Sequence, residues 1–351
     1  MPESLILAPV YERLYHSIFR FFIMLTILSV LIVAVSWRLT APIKYLAKSA
    51  QQLAAGNLKV RIGSVRSTCE IDQLTHAFDK MVVDLKLNIE HRINEETARW
   101  TVEAELKAAR HIQESLLPHI FPPFPERSEF DLHATNEPVA FIAGDFFDFF
   151  FIAPDTLAFV ITDVSGHGIP AALFMVVSRT AIRNCAVSEQ SPCEIIDRAN
   201  RTLSMNNDDM MFVTLFYRHY AVQTGILTYV NAGHNPPYIV RSDGRLEKLG
   251  ATGPLVAPFE NVSYKEQVVH LDDGDLLVTF TDGVTEAHSV ENNVMYGEYR
   301  LEQFLCEICN QPVAEICNRI NSEVDHFSHH ERYDDITLLV LRCKTESQGF
   351  R

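Results

Sequence analysis

The apolar positions change their period several times along the chain. Phe21 to Trp37 (FFIMLTILSVLIVAVSW) is 17 residues without a charge, bracketed by Arg20 and Arg38. Trp37 closes it like an interfacial anchor. At about 1.5 Å rise per residue this run reaches the short end of the bilayer-spanning range. A secretory signal peptide is the rival reading, but its apolar core is shorter and ends in a small-residue cleavage site. The pattern predicts a transmembrane helix over 21–37, after a short N-terminal segment, 1–20. Arg13 and Arg20 precede the run, and Arg38, Lys44 and Lys48 follow it. This slight bias favours the C-terminal side as cytoplasmic.

A helical period follows. Two amphipathic helices are readable near 42–55 and 71–91, joined by the glycine-bearing stretch GNLKVRIGSVRST. Pro42 suits a first helical turn, where its missing N–H costs nothing. Ile71, Leu74, Phe78 and Met81 line one helix face. Residues 92–127 read as a linker. Leu85, Ile89, Ile93 and Trp100, then Leu106, Ala109, Ile112 and Leu116, form a seam consistent with a short coiled coil. Pro118, Pro122, Pro123 and Pro125 end the helix and set a domain boundary.

After residue 128 strands and glycine turns dominate. Thr156–Asp163, Phe212–Tyr220, Ile226–Asn231, Leu276–Thr281 and Ile336–Leu341 read as strands, and Pro237–Arg241 and Arg245–Leu249 flank a Ser-Asp-Gly hairpin signal. Helical runs lie near 170–187, 192–206, 298–309 and 312–327. The class is α+β, with strands that could stack as two sheets between helices. Residues 128–343 would form this domain, leaving a tail at 344–351.

Composition narrows the function. Apolar residues make up 47% and charged residues 21%, which excludes wholesale disorder. The net charge is −15, unevenly spread: residues 1–100 carry 12 basic and 9 acidic side chains, residues 101–351 carry 18 and 36. The acidic part excludes a nucleic-acid binder, which needs a basic footprint. The basic part suits an anionic membrane surface. Seven irregularly spaced cysteines argue against a disulfide framework. Cys306 and Cys309 make a CxxC, with Cys317, His326, His329 and His330 downstream. No second CxxC completes a zinc site, and buried helix cysteines are the plainer reading.

Acids fall at the ends of the apolar strands. Asp145 lies among phenylalanines in Gly144-Asp145-Phe146-Phe147-Asp148, Asp163 ends one strand, Asp282 ends another, and Asp334 opens a third. A lone acid there is usually a turn former. Several together repel unless a cation holds them, and hard oxygen ligands suit Mg2+ or Mn2+. Spacing alone leaves open whether these acids meet.

Two resemblances carry the reading further. Residues 38–91 resemble a HAMP relay domain through Glu70-Ile71-Asp72-Gln73-Leu74 and Ala77-Phe78-Asp79-Lys80-Met81. Cys69 replaces the usual acid, and Asp72 the usual glycine. Residues 128–343 resemble the SpoIIE/RsbU branch of the PPM (PP2C-like) serine/threonine phosphatases. The motifs are Gly144–Asp148, Asp163-Val164-Ser165-Gly166-His167-Gly168-Ile169-Pro170-Ala171-Ala172-Leu173, Asn231-Ala232-Gly233-His234-Asn235-Pro236-Pro237, Thr281-Asp282-Gly283-Val284-Thr285-Glu286-Ala287 and Asp334-Asp335-Ile336-Thr337-Leu338. Ile112-Gln113-Glu114-Ser115-Leu116-Leu117-Pro118 also matches the helix placed ahead of that domain.

The resemblance implies an αββα sandwich holding two Mn2+ or Mg2+ ions, bound by Asp145, Asp163, the Val164 carbonyl, Asp282 and Asp334, with Asp335 as an alternative ligand. It implies attack of water at phosphorus without a covalent phospho-enzyme. Asp148 is a candidate outer-shell acid, His167 a candidate proton donor, and His234 a loop residue or substrate contact. The implied substrate is a phosphorylated STAS-domain anti-sigma-factor antagonist. The implied setting is the inner membrane, crossed once, with the phosphatase in the cytoplasm and a homodimer formed through the HAMP and linker helices. The rival class is a non-catalytic scaffold of the same fold, which has no reason to keep all four acids.

Overall fold

The structure is a computed structural model that describes residues 4–58, 60, 69–188, 191–205, 207–291 and 293–344. Most of the predicted connector, and the side chains of Cys69 and Ile71, lie outside the described residues. The chain divides into two compact units, Met1–Val102 and Glu103–Arg351.

In the first unit, α1 (Ser4–Ala54) merges the predicted membrane helix and the first relay helix. It is long and apolar enough to cross a membrane, by length and composition. Pro42 therefore does not open a helix but lies inside one. One lost backbone hydrogen bond is a local cost, and the helix-favouring runs on both sides carry the helix across it. Pro42, Leu46 and Ser49 are buried on one face. In α2 (Cys69–Leu116) the expected stripe is not the buried one. Thr75 and Val82 are buried, whereas Leu74 and Met81 are exposed. The helix continues through the predicted linker seam, where Leu85, Ile93, Trp100 and Ile112 are exposed. It stops at Leu116, two residues before Pro118, so the linker is helical only to that point.

The second unit groups its strands and helices in runs. Its elements are β1 (Phe130–Glu137), β2 (Phe146–Ala153), β3 (Thr156–Val164), α3 (Ile169–Ser188), α4 (Pro192–Ser204), β4 (Val213–Ala221), β5 (Ile226–Ala232), β6 (Tyr238–Val240), β7 (Leu246–Lys248), β8 (Gln267–His270), β9 (Leu276–Phe280), α5 (Asp282–Thr285), α6 (Gly297–Ile308), α7 (Val313–Phe327) and β10 (Ile336–Cys343). One antiparallel sheet has the order β1-β10-β9-β6-β7, the other β2-β3-β4-β5-β8. Phe147, Phe159, Ile161, Phe216, Leu277, Leu339 and Leu341 fill the space between the sheets. The opposite faces are covered by helices. Met175, Ile182, Ile195 and Ile196 pack on Val160, Leu215 and Tyr217. Leu301, Leu305, Ile316 and Ile320 pack on Val278, Leu338 and Val340. The predicted αββα sandwich is the observed one. Cys317 is buried in this last layer, whereas Cys306 is exposed on α6.

Strand alternation sends Asp148 away from the other candidate acids. Asp148 pairs in register with Val160, which faces the α3 and α4 layer. Successive side chains on a strand point to opposite faces, so Asp148 points to α3 rather than between the sheets. There its carboxylate accepts from Arg183 at 2.5 and 2.7 Å and lies 3.0 Å from Arg179 Nε. The Phe149 amide donates to it at 2.9 Å. These contacts pin α3 to β2. Removing one partner of a buried ion pair leaves the other charge uncompensated. Asp148→Ala should cost about 3 kcal/mol, measured as a lowered thermal midpoint by circular dichroism. An unchanged midpoint would contradict this account of the pin.

Candidate functional site

Antiparallel pairing brings the acid-bearing ends together. Phe146 at the start of β2 pairs with Thr162 near the end of β3. The end of β9 lies beside the start of β10, with Leu338 opposite Phe280. Asp145, Asp163, Asp282 and Asp334 therefore gather at one end of the sandwich. Asp282 does not end a strand, as the pattern suggested, but opens the four-residue helix α5.

The carboxyls act strongly on one another. Burial holds Asp145 well above the usual carboxylate range, the Asp163 charge adds to this, and a hydrogen bond with Thr281 works against it. Burial, then the Asp334 charge, pushes Asp163 up to about 6, and it lies in hydrogen-bond contact with Asp145. Burial, then the charges of Asp163, Asp334 and Glu286, lifts Asp282 to about 7. Glu286, within the Thr281–Ala287 motif, is a further acid of the cluster that the motif alone does not single out. It is exposed, and its charge reaches both Asp163 and Asp282.

Asp335, the alternative ligand, has a structural task. Its two oxygens accept from the amides of Val139 and Gly144, each at 2.8 Å. These bonds tie the 138–144 segment to β10 and so set Asp145. Burial raises Asp335, and the amide bonds offset part of that rise. Asn136 Nδ2 donates to the Asp145 carbonyl at 2.9 Å. Gln113, at the end of α2, clamps the same segment from outside. Its Nε2 donates to the Ala143 carbonyl at 2.7 Å, and the Ala143 amide donates to its Oε1 at 3.0 Å. Two glycines keep this space open. A Cβ on Gly283 would stand 2.2 Å from the Asp335 carbonyl oxygen, and one on Gly144 would stand 3.3 Å from that of Val164.

The two histidines separate cleanly. His234 is buried, its Nδ1 lies 2.9 Å from Thr214 Oγ1, and its amide donates to Asn231 Oδ1. Its Nε2, near the Phe280 carbonyl, completes no hydrogen bond. Burial, then the Arg218 charge, lowers it to about 3, and its contacts order the loop. His167 is exposed between Gly166 and Gly168, directly after the Asp163 loop.

Whether this cluster fits a divalent pair turns on its donors. Asp145 Oδ2 is buried without a hydrogen-bond partner, and the groups acting most on these carboxyls are other acids, a threonine and backbone amides. Oxygen donors with unspent negative charge suit hard divalent cations. As they stand, no three metal-ligating side chains among the described residues form a closed cage. Asp334 Oδ1, for example, accepts from the Asp335 amide at 2.8 Å. The shared field, rather than a finished cage, is the mark of the site.

Residues 153–344 match the family model of stage II sporulation protein E (SpoIIE), over half of the chain. The chain belongs to the SpoIIE family. Residues 34–86 of this SpoIIE-family chain match the HAMP domain model, starting slightly ahead of the predicted boundary. Protein IcfG of Synechocystis sp. is 30% identical over 332 residues, covering 86% of this chain and 51% of that protein. The chain thus spans about half the length of IcfG. Phosphoserine phosphatase RsbU of Bacillus subtilis is 30% identical over 247 residues, 69% of this chain and 71% of RsbU. Among solved structures, the SiaA PP2C domain of Pseudomonas aeruginosa superposes with a TM-score of 0.61 at 22% identity, covering 70% of this chain and 98% of that domain. That likeness is one of fold.

Two measurements follow from the cluster. Carboxyls raised in the fold bind protons there more tightly than in the unfolded chain, so their contribution to stability falls as pH rises from about 4 to 7. A divalent ion offsets the repulsion that causes this. Manganese chloride should therefore raise the thermal midpoint more at pH 8 than at pH 5; equal shifts would contradict the shared site. Gln113→Ala frees the segment before Asp145, and a displaced site residue can cost up to about a hundredfold in rate. Turnover of p-nitrophenyl phosphate should drop at least about tenfold in that variant.

Proposed function

We propose that this chain is a membrane-anchored, divalent-metal-dependent phosphoserine/phosphothreonine protein phosphatase of a partner-switching pathway. The observation that carries it is the convergence of Asp145, Asp163, Asp282 and Asp334, with a buried Asp145 oxygen left without a partner. The relationship to RsbU, a named phosphoserine phosphatase, supports the same chemistry.

Asp145, Asp163, the Val164 carbonyl, Asp282 and Asp334 would hold two ions, Mn2+ or Mg2+. When bound, such a pair activates water and neutralises the phosphoryl group. The remaining tasks fall to the chain itself. Asp335 and Gln113 fix the loop that presents Asp145. Glu286 adds negative charge at the exposed side and strengthens the site's demand for cations. His167, exposed after the Asp163 loop, would give a proton to the leaving seryl oxygen.

The substrate we infer is a phosphorylated STAS-domain anti-sigma-factor antagonist, whose dephosphorylation would release a sigma factor. The long apolar stretch of α1 would cross the inner membrane once, with residues 128–343 in the cytoplasm. The exposed seam Leu85, Ile93, Trp100 and Ile112, together with exposed Leu74 and Met81, supports a parallel homodimer through the HAMP and linker helices. The end of α2, residues 109–117, would pass changes in that dimer to the site through Gln113.

The test is direct. The full chain in detergent micelles with Mn2+ should hydrolyse p-nitrophenyl phosphate and a serine-phosphorylated STAS-domain protein, and EDTA should stop both reactions. Removing a group that holds an ion forfeits several kcal/mol of transition-state stabilisation, so Asp163→Ala should lose at least about a hundredfold. Full activity in that variant would overturn the two-metal reading.

A further inference from the structure

Beside the acid cluster stands a small hairpin with no part in holding an ion. It begins directly after Glu286 and ends at α6. The Ser289 amide donates to the Val294 carbonyl at 3.0 Å, the Tyr296 amide donates to the Ala287 carbonyl at 2.8 Å, and an antiparallel bridge sets His288 opposite Met295. Arg300 braces its base, donating to the carbonyls of Met295 and Tyr296. Across from it runs the segment leading to Asp334. The ring of Tyr333 packs edge-on against His288 with centroids 5.5 Å apart, and Glu291 and His329 approach to 3.8 Å. Both lips therefore border the cluster, one beginning at Glu286 and the other ending at Asp334.

Exposed apolar side chains stand on both lips, beside exposed Glu291 and His329. Met295 stands opposite His288, against which Tyr333 packs, and Val290 lies in the turn of the hairpin. Val290 is 50% exposed, Met295 49% and Tyr333 56%. This patch lies in a part of the chain with twice as many acidic as basic side chains, 36 against 18. A phosphoprotein brings more negative charge, so long-range attraction does not hold it in place. Short-range apolar contact beside the site supplies a hold on the flanking chain that does not depend on charge.

We propose that Val290, Met295 and Tyr333 form an apolar lip that seats the residues flanking the phosphoserine of the protein substrate. The lip selects phosphoserines set among apolar neighbours over those in glycine- or serine-rich chain. This rests on the phosphatase reading above and adds to it a determinant of specificity. These residues are binding residues for the flanking chain and do not touch the phosphoryl group.

Two synthetic phosphoserine decapeptides test it on the full chain in detergent with Mn2+. One carries leucine and valine around the phosphoserine, the other glycine and serine. A partly exposed apolar contact is worth about one order of magnitude in kcat/KM, so the wild type should favour the apolar peptide about tenfold, chiefly through KM. In Val290→Ser/Met295→Ser that ratio should collapse to about one, and Tyr333→Ala should lower it as well. All three positions are exposed, and circular dichroism checks that the variants fold. A wild type without preference, or folded variants that keep it, overturns the lip. A wild type that hydrolyses p-nitrophenyl phosphate but shows no preference sinks the lip alone. A wild type that hydrolyses neither the peptides nor p-nitrophenyl phosphate sinks the phosphatase reading and the lip with it.

Discussion

Several carboxyl groups crowd one end of the sandwich, and most of them are removed from water. Charged oxygens in such a place repel, and the protein offers them no lysine or arginine among their strongest neighbours. The fold tolerates this only because the rest of the unit is rigid. The layer between the sheets is closely packed with aromatic and branched side chains, and both outer faces are covered by helices. The energy released by burying that apolar surface holds in place an arrangement that its own electrostatics oppose.

Rigidity also reaches the loop that needs it most. The segment from Val139 to Asp145 belongs to neither sheet, yet it is tied from two sides. Asp335 grips it from β10 and Gln113 from the end of α2. Thr281 joins the same network, accepting from the Thr337 amide at 3.0 Å and donating to the Asp335 carbonyl at 3.3 Å. A carboxylate that looks like a ligand by position can serve equally well as a bracket when two amides face it. In that case it sets another acid's place.

Much of this was legible because strand ends and turns leave strong local marks. The buried strands β3, β9 and β10 read as apolar runs, and the helices of both outer layers showed within a residue or two. Other features depend on contacts distant in sequence. The opposite fates of Asp145 and Asp148 follow from register on β2, which a run of phenylalanines conceals because both faces are apolar. β8 has three exposed residues of its four and presents no alternation to detect. Pro42 marked a helix start by its local rule, but cooperativity along α1 overrode it. The stripe on α2 was offset because Thr75 and Val82 take the buried positions within one chain. Gln113 lay in a recognised motif, yet its role appears only when Ala143 is brought beside it.

The pairing of β1 with β10 sets Phe130 against Cys343 and Glu137 against Ile336, some two hundred residues apart. During synthesis the first strand after the linker has no partner until nearly the whole catalytic unit has left the ribosome. Such long-range pairing slows folding, because loop closure precedes its reward. The acids gathered by β9 and β10 therefore cannot assemble early, and the nascent chain would stay inert until β10 closes the sheet.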